Sequence, residues 1–247
     1  MRPVSSWGAI CGLAVLFMAS CFDPPQYSPI PSIEFDNVIF KDIADASLAD
    51  SLIVTVRFKD GDGDMGLDPS EIAIPYNNKY YFKFSDGSFI TYKTRRTNPN
   101  YDTLPAFVSP YNCINWEIAT IPVGTPPVQK TDTFYFQLNQ NHYNFFVDFF
   151  VKNSNGSGYT EFNWQTEFQY PNCGIPFDGR FPILSKDLSQ QSPLDGTIRY
   201  GMASTGFLFL FSVKTLKLRI TVQDRTLNKS NTIESGDFTL QQIKKSG

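Results

Sequence analysis

Residues 52–59 read Leu52-Ile53-Val54-Thr55-Val56-Arg57-Phe58-Lys59. Leu52, Val54, Val56 and Phe58 fall on one side of an extended chain, and Ile53, Thr55, Arg57 and Lys59 fall on the other. A period of two sends one set of side chains to a core and the other towards water, so this stretch reads as a half-buried strand. The pattern returns in Tyr143, Phe145, Val147, Phe149 and Val151, and again where Leu216, Leu218, Ile220 and Val222 alternate with Lys217, Arg219, Thr221 and Gln223. Shorter candidate strands lie at 33–41, 79–85, 89–93, 113–121, 133–138, 159–168, 207–213 and 238–243. No stretch keeps a helical period for three turns. Asp86-Gly87-Ser88 and the run 153–158 supply residues that tolerate positive φ, as hairpin turns require. The expectation is an all-β chain: an antiparallel β-sandwich with long irregular excursions at 94–109 and 170–205, and one domain over 33–247.

Composition agrees. The 247 residues include 23 Phe and 12 Tyr, and the charged fraction of 18% is low for a soluble protein, a bias that suits pleated, half-buried surfaces. With 21 cationic against 24 anionic side chains, the formal charge of −3 gives no electrostatic footprint for nucleic acid. A single histidine leaves little material for histidine-based catalysis or zinc binding. No glycine-rich loop joins a strand to a helix, so no nucleotide site is expected.

The N-terminus carries Arg2 and then the apolar run from Trp7 to Phe17, the length of a signal-peptide h-region and too short to span a bilayer as a helix. Residues 1–20 therefore read as a signal peptide. Met18-Ala19-Ser20-Cys21 resembles a bacterial lipobox, which implies cleavage before Cys21 and acylation of its thiol; an ordinary secretory signal with an incidental cysteine is the plainer alternative. Each buried acyl methylene contributes about 0.8 kcal/mol, so two or three chains anchor a domain without any transmembrane helix. Phe22 in place of aspartate after the cysteine resembles the Gram-negative pattern for release to the outer membrane, with the periplasmic or surface face left open. Pro24, Pro25, Pro29 and Pro31 make residues 21–32 a Pro-rich stalk of about 30 Å in extended form.

Cys113 and Cys173 remain after processing, in an oxidising compartment, and read as a disulfide. Two separate buried thiols are the alternative; a catalytic thiolate lacks a neighbouring motif to activate it, with His142 set in a strand pattern.

One stretch carries a chemistry. Asp60-Gly61-Asp62-Gly63-Asp64-Met65-Gly66-Leu67-Asp68 followed by Glu71 places acids at relative positions 1, 3, 5, 9 and 12. Calcium takes six to eight oxygens, and carboxylates at alternate positions closed by a glutamate at twelve resemble an EF-hand loop. Met65 stands where the invariant glycine belongs, and a strand precedes in place of a helix, so the expectation is a calcium loop at a strand end and not an EF-hand. If the strands ending at Lys59 and Gln223 are the second and penultimate of an immunoglobulin-like sandwich, they leave it at the same end, and Asp224 joins Asp60, Asp62 and Asp64. The plainer reading is an acidic turn whose side chains are solvated or bonded to their own backbone.

The lipobox, the Pro-rich stalk, the early strand feeding Asp60-Gly61-Asp62-Gly63-Asp64-Met65-Gly66, and Asp224-Arg225-Thr226-Leu227-Asn228-Lys229-Ser230-Asn231 before a last strand together resemble a group of Bacteroidota outer-membrane envelope lipoproteins. The resemblance covers most of the mature chain. It implies an immunoglobulin-like β fold and an outer-membrane address, and it brings no activity.

Two functions compete. A tethered sandwich with loops at one end is a display scaffold, which makes a binding or structural module for a protein or glycan partner the first. Trp116, Trp164, Phe146 and Phe150 would serve a glycan if exposed, although aromatics at strand spacing are more often core. The second is a carboxylate-based hydrolase acting on glycans, using Asp148 and Glu161 on adjacent strands, for which a deep cleft is the mark and a flat surface the counter-mark.

Overall fold

In the computed structural model, which describes residues 25–43, 48–97, 116–164 and 177–246, the alternating stretch around Val54 is strand β2 (Asp50–Asp60). Leu52, Val54 and Val56 are fully buried while Arg57 and Lys59 are exposed. β2 pairs antiparallel with β1 (Ser32–Asp42) on one side and with β8 (Leu194–Ser204) on the other. β11 (Lys244–Ser246) adds to β1 in parallel, giving the order β11-β1-β2-β8. A second sheet has the order β10-β9-β6-β7, from β6 (Phe145–Lys152), β7 (Tyr159–Glu161), β9 (Leu216–Val222) and β10 (Ile233–Glu234). The inward side chains of the two sheets form one core, in which Phe40, Leu52, Val54, Val56 and Ile198 join Phe145, Val147, Phe149, Leu218 and Ile220. The chain is thus an all-β, sandwich-like fold.

Between β2 and β6 the chain builds a third sheet of order β3-β5-β4, from β3 (Lys79–Tyr81), β4 (Trp116–Val123) and β5 (Val128–Leu138). It has a small core of its own, Ile90, Trp116 and Tyr135 with Phe82, Phe84 and Tyr92 against them. Asn139, just past β5, closes the base of this sheet by donating from Nδ2 to the carbonyls of Pro75 and Asn77, in the segment leading into β3, both at 2.7 Å.

Several sequence expectations change. The strand expected at 238–243 is an isolated bridge at Phe238 followed by a turn, with β11 beyond it. The excursion over 170–205 contains β8, paired with β2 along its whole length. Its inward positions are Leu194, Gly196, Ile198, Tyr200 and Met202, and a glycine within the apolar set, with Gly201 opposite, hides the alternation. Gly196 has no side chain because the Phe58 ring fills that space, 3.2 Å from where a Cβ would stand. The expected strand at 207–213 is a short helix, α1 (Phe207–Phe211). Phe207 and Phe211, four apart, both enter the core against Phe149, so the continuous apolar run serves a helical spacing. Finally, the described part of the stalk does not stand free. Tyr27 donates its hydroxyl to Asp195 at 2.9 Å, the Ser28 carbonyl accepts from the Gly61 amide at 2.8 Å, and Pro31 is buried.

Phe149 is 1% exposed and meets Trp164, Phe177, Phe207 and Phe211 at centroid distances of 5.2–6.3 Å. Phe149→Ala is expected to cost about 3–5 kcal/mol in denaturant unfolding, whereas Ile118→Ala, at a side chain 67% exposed, changes stability by less than about 0.5 kcal/mol.

Candidate metal centre

β2 ends at Asp60 and β9 ends at Val222, and both leave the sandwich at the same end. The loops that follow are zipped together: the Arg225 amide donates to the Asp64 carbonyl at 3.3 Å, and the Thr226 amide to Asp64 Oδ2 at 3.0 Å. Asp60, Asp64 and Asp224 are thereby gathered so that one carboxylate oxygen from each lies within 4.8 Å of the others. Asp62 completes the charge cluster, close enough to push up the pKa of all three.

Asp60 and Asp64 each commit one oxygen, and Asp224 commits both. Asp60 accepts the Asp64 amide on Oδ2 at 3.1 Å, and Asp64 accepts Thr226 on Oδ2. Asp224 Oδ1 accepts the Asn228 amide at 2.7 Å and Asp224 Oδ2 the Asn228 side-chain amide at 2.9 Å. The remaining oxygens of the loop, Oδ1 of Asp60, Asp62 and Asp64, are buried with no hydrogen-bond partner. Asp60 and Asp224 are 0% and 1% exposed. A buried anionic oxygen without a donor is costly, and three on one short loop give it the donor chemistry of a hard-cation site. Desolvation, reinforced by the neighbouring carboxylates, holds the Asp60 carboxyl up at about 7 and that of Asp64 at about 6, and raises Asp224.

The glycines of this loop have a steric cause. A Cβ on Gly61 would stand 2.3 Å from the Tyr27 carbonyl oxygen. Gly63, at φ +74°, would meet the Ser192 carbonyl at 2.2 Å, and Gly66, at φ +103°, the Pro182 carbonyl at 2.1 Å. Three backbone segments press on the loop from outside, and its side chains turn inward onto one another.

The EF-hand spacing carries only through position five. Met65, at position six, is fully buried in the sandwich core and pins the chain there. Asp68 then turns outward and caps its own turn, accepting from the Ser70 amide at 2.8 Å. Glu71 forms a two-pronged ion pair with Arg225, taking Nη1 at 2.7 Å on Oε2 and Nη2 on Oε1, and Arg225 holds its carboxyl below the usual range. Asp68 and Glu71 are therefore not gathered with the other acids. Arg225, which follows Asp224 directly in the motif, and Arg180, which donates to the Asp68 and Glu71 carbonyls at 2.9 and 3.1 Å, take part in the site without having been singled out as partners.

Cys21, Cys113 and Cys173 lie outside the described residues. Asp148 and Glu161 sit on open strand positions of the second sheet, both exposed, with Arg219 paired across from Asp148. The aromatics named for a glycan offer no open face: Trp116 is fully buried, Trp164 packs on the core, Phe150 is 8% exposed beneath Arg219, and Lys229 lies over Phe146. No family model, no curated protein and no solved structure matches the chain.

Behind the outer face of β6, Asp178 accepts the Val147 amide at 3.0 Å, and burial first, then Asp148, pushes its carboxyl up to about 6. An acid whose pKa is raised on folding contributes stability below its unfolded pKa and loses it as pH rises through the folded value. Asp178→Asn, which keeps an acceptor for Val147, is therefore expected to match the wild type near pH 4 and to exceed it by about 1 kcal/mol at pH 8, after allowance for solvent. Chemical denaturation at the two pH values checks this.

Proposed function

We propose that this chain is a lipid-anchored lipoprotein of the Gram-negative outer membrane, acting as a binding or structural module for a partner, with the loop end of its sandwich braced by calcium. The observation that carries the proposal is the convergence of Asp60, Asp64 and Asp224, together with the buried, unpartnered Oδ1 atoms of Asp60, Asp62 and Asp64, at the end where the N-terminal tether docks. All-oxygen, all-carboxylate donors suit a hard cation, and an irregular loop tolerates the loose geometry of calcium better than the strict octahedron of magnesium. The ion would offset the burial and the mutual repulsion that raise the carboxyls of Asp60, Asp64 and Asp224.

The immunoglobulin-like reading is supported by strand order. With the third sheet set aside, the first two strands share a sheet with β8, while β6, β7, β9 and β10 form the other, which is the A-B-E against G-F-C-C′ arrangement of such sandwiches. Among the described residues no helix is long and apolar enough to cross a membrane, so the anchor rests on Cys21. The covered state of Trp116, Trp164, Phe146 and Phe150 favours a protein partner over a glycan. The exposed, open placement of Asp148 and Glu161 favours a binding module over a hydrolase.

Calcium at about a hundred times its dissociation constant is expected to stabilise the fold by about 2.7 kcal/mol, seen as a rise in Tm that a chelator reverses and magnesium reproduces weakly. Asp60→Asn should fold, since it removes a buried charge, and lose the calcium response. An identical wild-type melting curve with calcium and with chelator overturns the calcium reading.

A further inference from the structure

The sandwich has two ends, separated along β2 by its eleven residues, or about 33 Å. The metal loop is at one end. The tether is at the same end: Tyr27 lies against Asp195, with the Lys59 ammonium over its ring, and Ser28 lies against Gly61. α1, with Phe209 89% exposed and Val213 93% exposed, is at the other.

Because the tether first meets the domain at Tyr27 and Ser28, the free reach of an anchor at Cys21 is the six residue steps from Tyr27, at most about 21 Å. That is shorter than the sandwich by about a third. The end that carries the metal loop must then stay within a short reach of the lipid, and this end also bears isolated aliphatic side chains that nothing in the fold uses. Ile30 is 54% exposed on the tether itself, and Ile72 and Ile74 are 65% and 78% exposed on the loop that follows the acids. Ile72 stands on the rim of a groove of about 320 Å³ lined by Leu67, Pro69, His142, Arg180, Phe181 and Pro182. Its walls are mainly apolar, which suits acyl chains.

We infer that the metal-loop end rests on the bilayer surface, with Ile30, Ile72 and Ile74 entering the lipid interface beside the anchor and α1 turned away from the membrane. This rests on the lipid-anchor reading and on no property of the metal ion. The acidic loop is then the foot of the molecule, and Phe209 and Val213 lie at the end away from the lipid.

The test uses the full-length protein, processed and acylated in cells and reconstituted into vesicles of phosphatidylethanolamine with a minority of phosphatidylglycerol carrying brominated acyl chains. Ile72→Trp and Phe209→Trp each place a tryptophan at an exposed position over the common background of buried Trp116 and half-buried Trp164. Quenching by the brominated lipid above the wild-type background is expected to be several-fold greater for Ile72→Trp than for Phe209→Trp. Quenching at 72 no greater than background, or equal quenching at 209, overturns the orientation while the anchor stands. A tryptophan at 72 that is shielded from water yet untouched by bromine also overturns it, and points to a second protein copy on that loop. Protein that fails to float with the vesicles, or floats equally well as Cys21→Ser, overturns the anchor reading itself.

Discussion

Three carboxylates, Asp60, Asp64 and Asp224, meet at one end of this sandwich, with Asp62 beside them, because two strands that are neighbours in neither sequence nor sheet, β2 and β9, finish side by side. Burial first, and the neighbouring carboxylates second, raise the carboxyl of Asp60 to about 7 and that of Asp64 to about 6, and raise that of Asp224. Much of the surrounding structure exists to keep them there. Tyr27, Pro182 and Ser192 press backbone carbonyls onto Gly61, Gly66 and Gly63, leaving no room for side chains on the outside of the loop. Met65 drives into the core between the acids and Glu71, so the loop cannot unwind without vacating a buried site. Arg225, one residue from Asp224, spends its charge on Glu71 and not on the cluster, which leaves the four aspartates without a protein cation among their hydrogen-bond partners.

How much of this was legible depended on whether a local pattern and a tertiary demand pointed the same way. β2, β6 and β9 were readable because their buried faces are unbroken runs of Leu, Val, Ile and Phe. β8 was not, since Gly196 is imposed by the Phe58 ring on the facing strand, a contact that no local window contains. The run Phe207-Leu208-Phe209-Leu210-Phe211 is apolar throughout and so has no period to read; its helical state is decided by the space beside Phe149, which accepts two rings one turn apart. At the site, Asp60, Asp62, Asp64 and Asp224 followed from spacing and strand topology together. Asp68 and Glu71 followed from spacing alone, and there a resemblance to a helical calcium loop extended the pattern past Met65, where the chain is already committed to the core.

The aromatic excess also divides in a way that composition conceals. Phe149, Phe177, Phe207, Phe211 and Trp164 make one cluster inside the sandwich, while Trp116, Tyr135, Tyr92 and Phe82 make a second under the inserted sheet. A three-stranded sheet has too little area to bury a core against nothing, and this one relies on ring-to-ring contacts such as Tyr92 on Trp116 at 5.5 Å and Trp116 on Tyr135 at 5.0 Å. Outward rings are mostly capped by cations: Lys229 over Phe146, Arg219 over Phe150, Lys217 over Tyr159. A chain with few charges thus spends several of them on covering its own apolar surface, and the outer face of the second sheet is amphipathic at the scale of single residues.

The docked tether gives the acidic loop a second consequence. Gly61 lies between Asp60 and Asp62, and its amide is the group that holds the Ser28 carbonyl. Any change in the charge state of the cluster acts on the backbone that carries this bond. Two states relieve the repulsion at neutral pH: protons shared among the carboxyls, or a divalent cation drawing them together. Only the second would supply a point of convergence for Oδ1 of Asp60, Asp62 and Asp64, the buried oxygens without a partner. Protonation removes charge without supplying one. On the calcium reading, the turn at Gly61 that holds the Ser28 carbonyl would then be braced by the same acids that hold the ion.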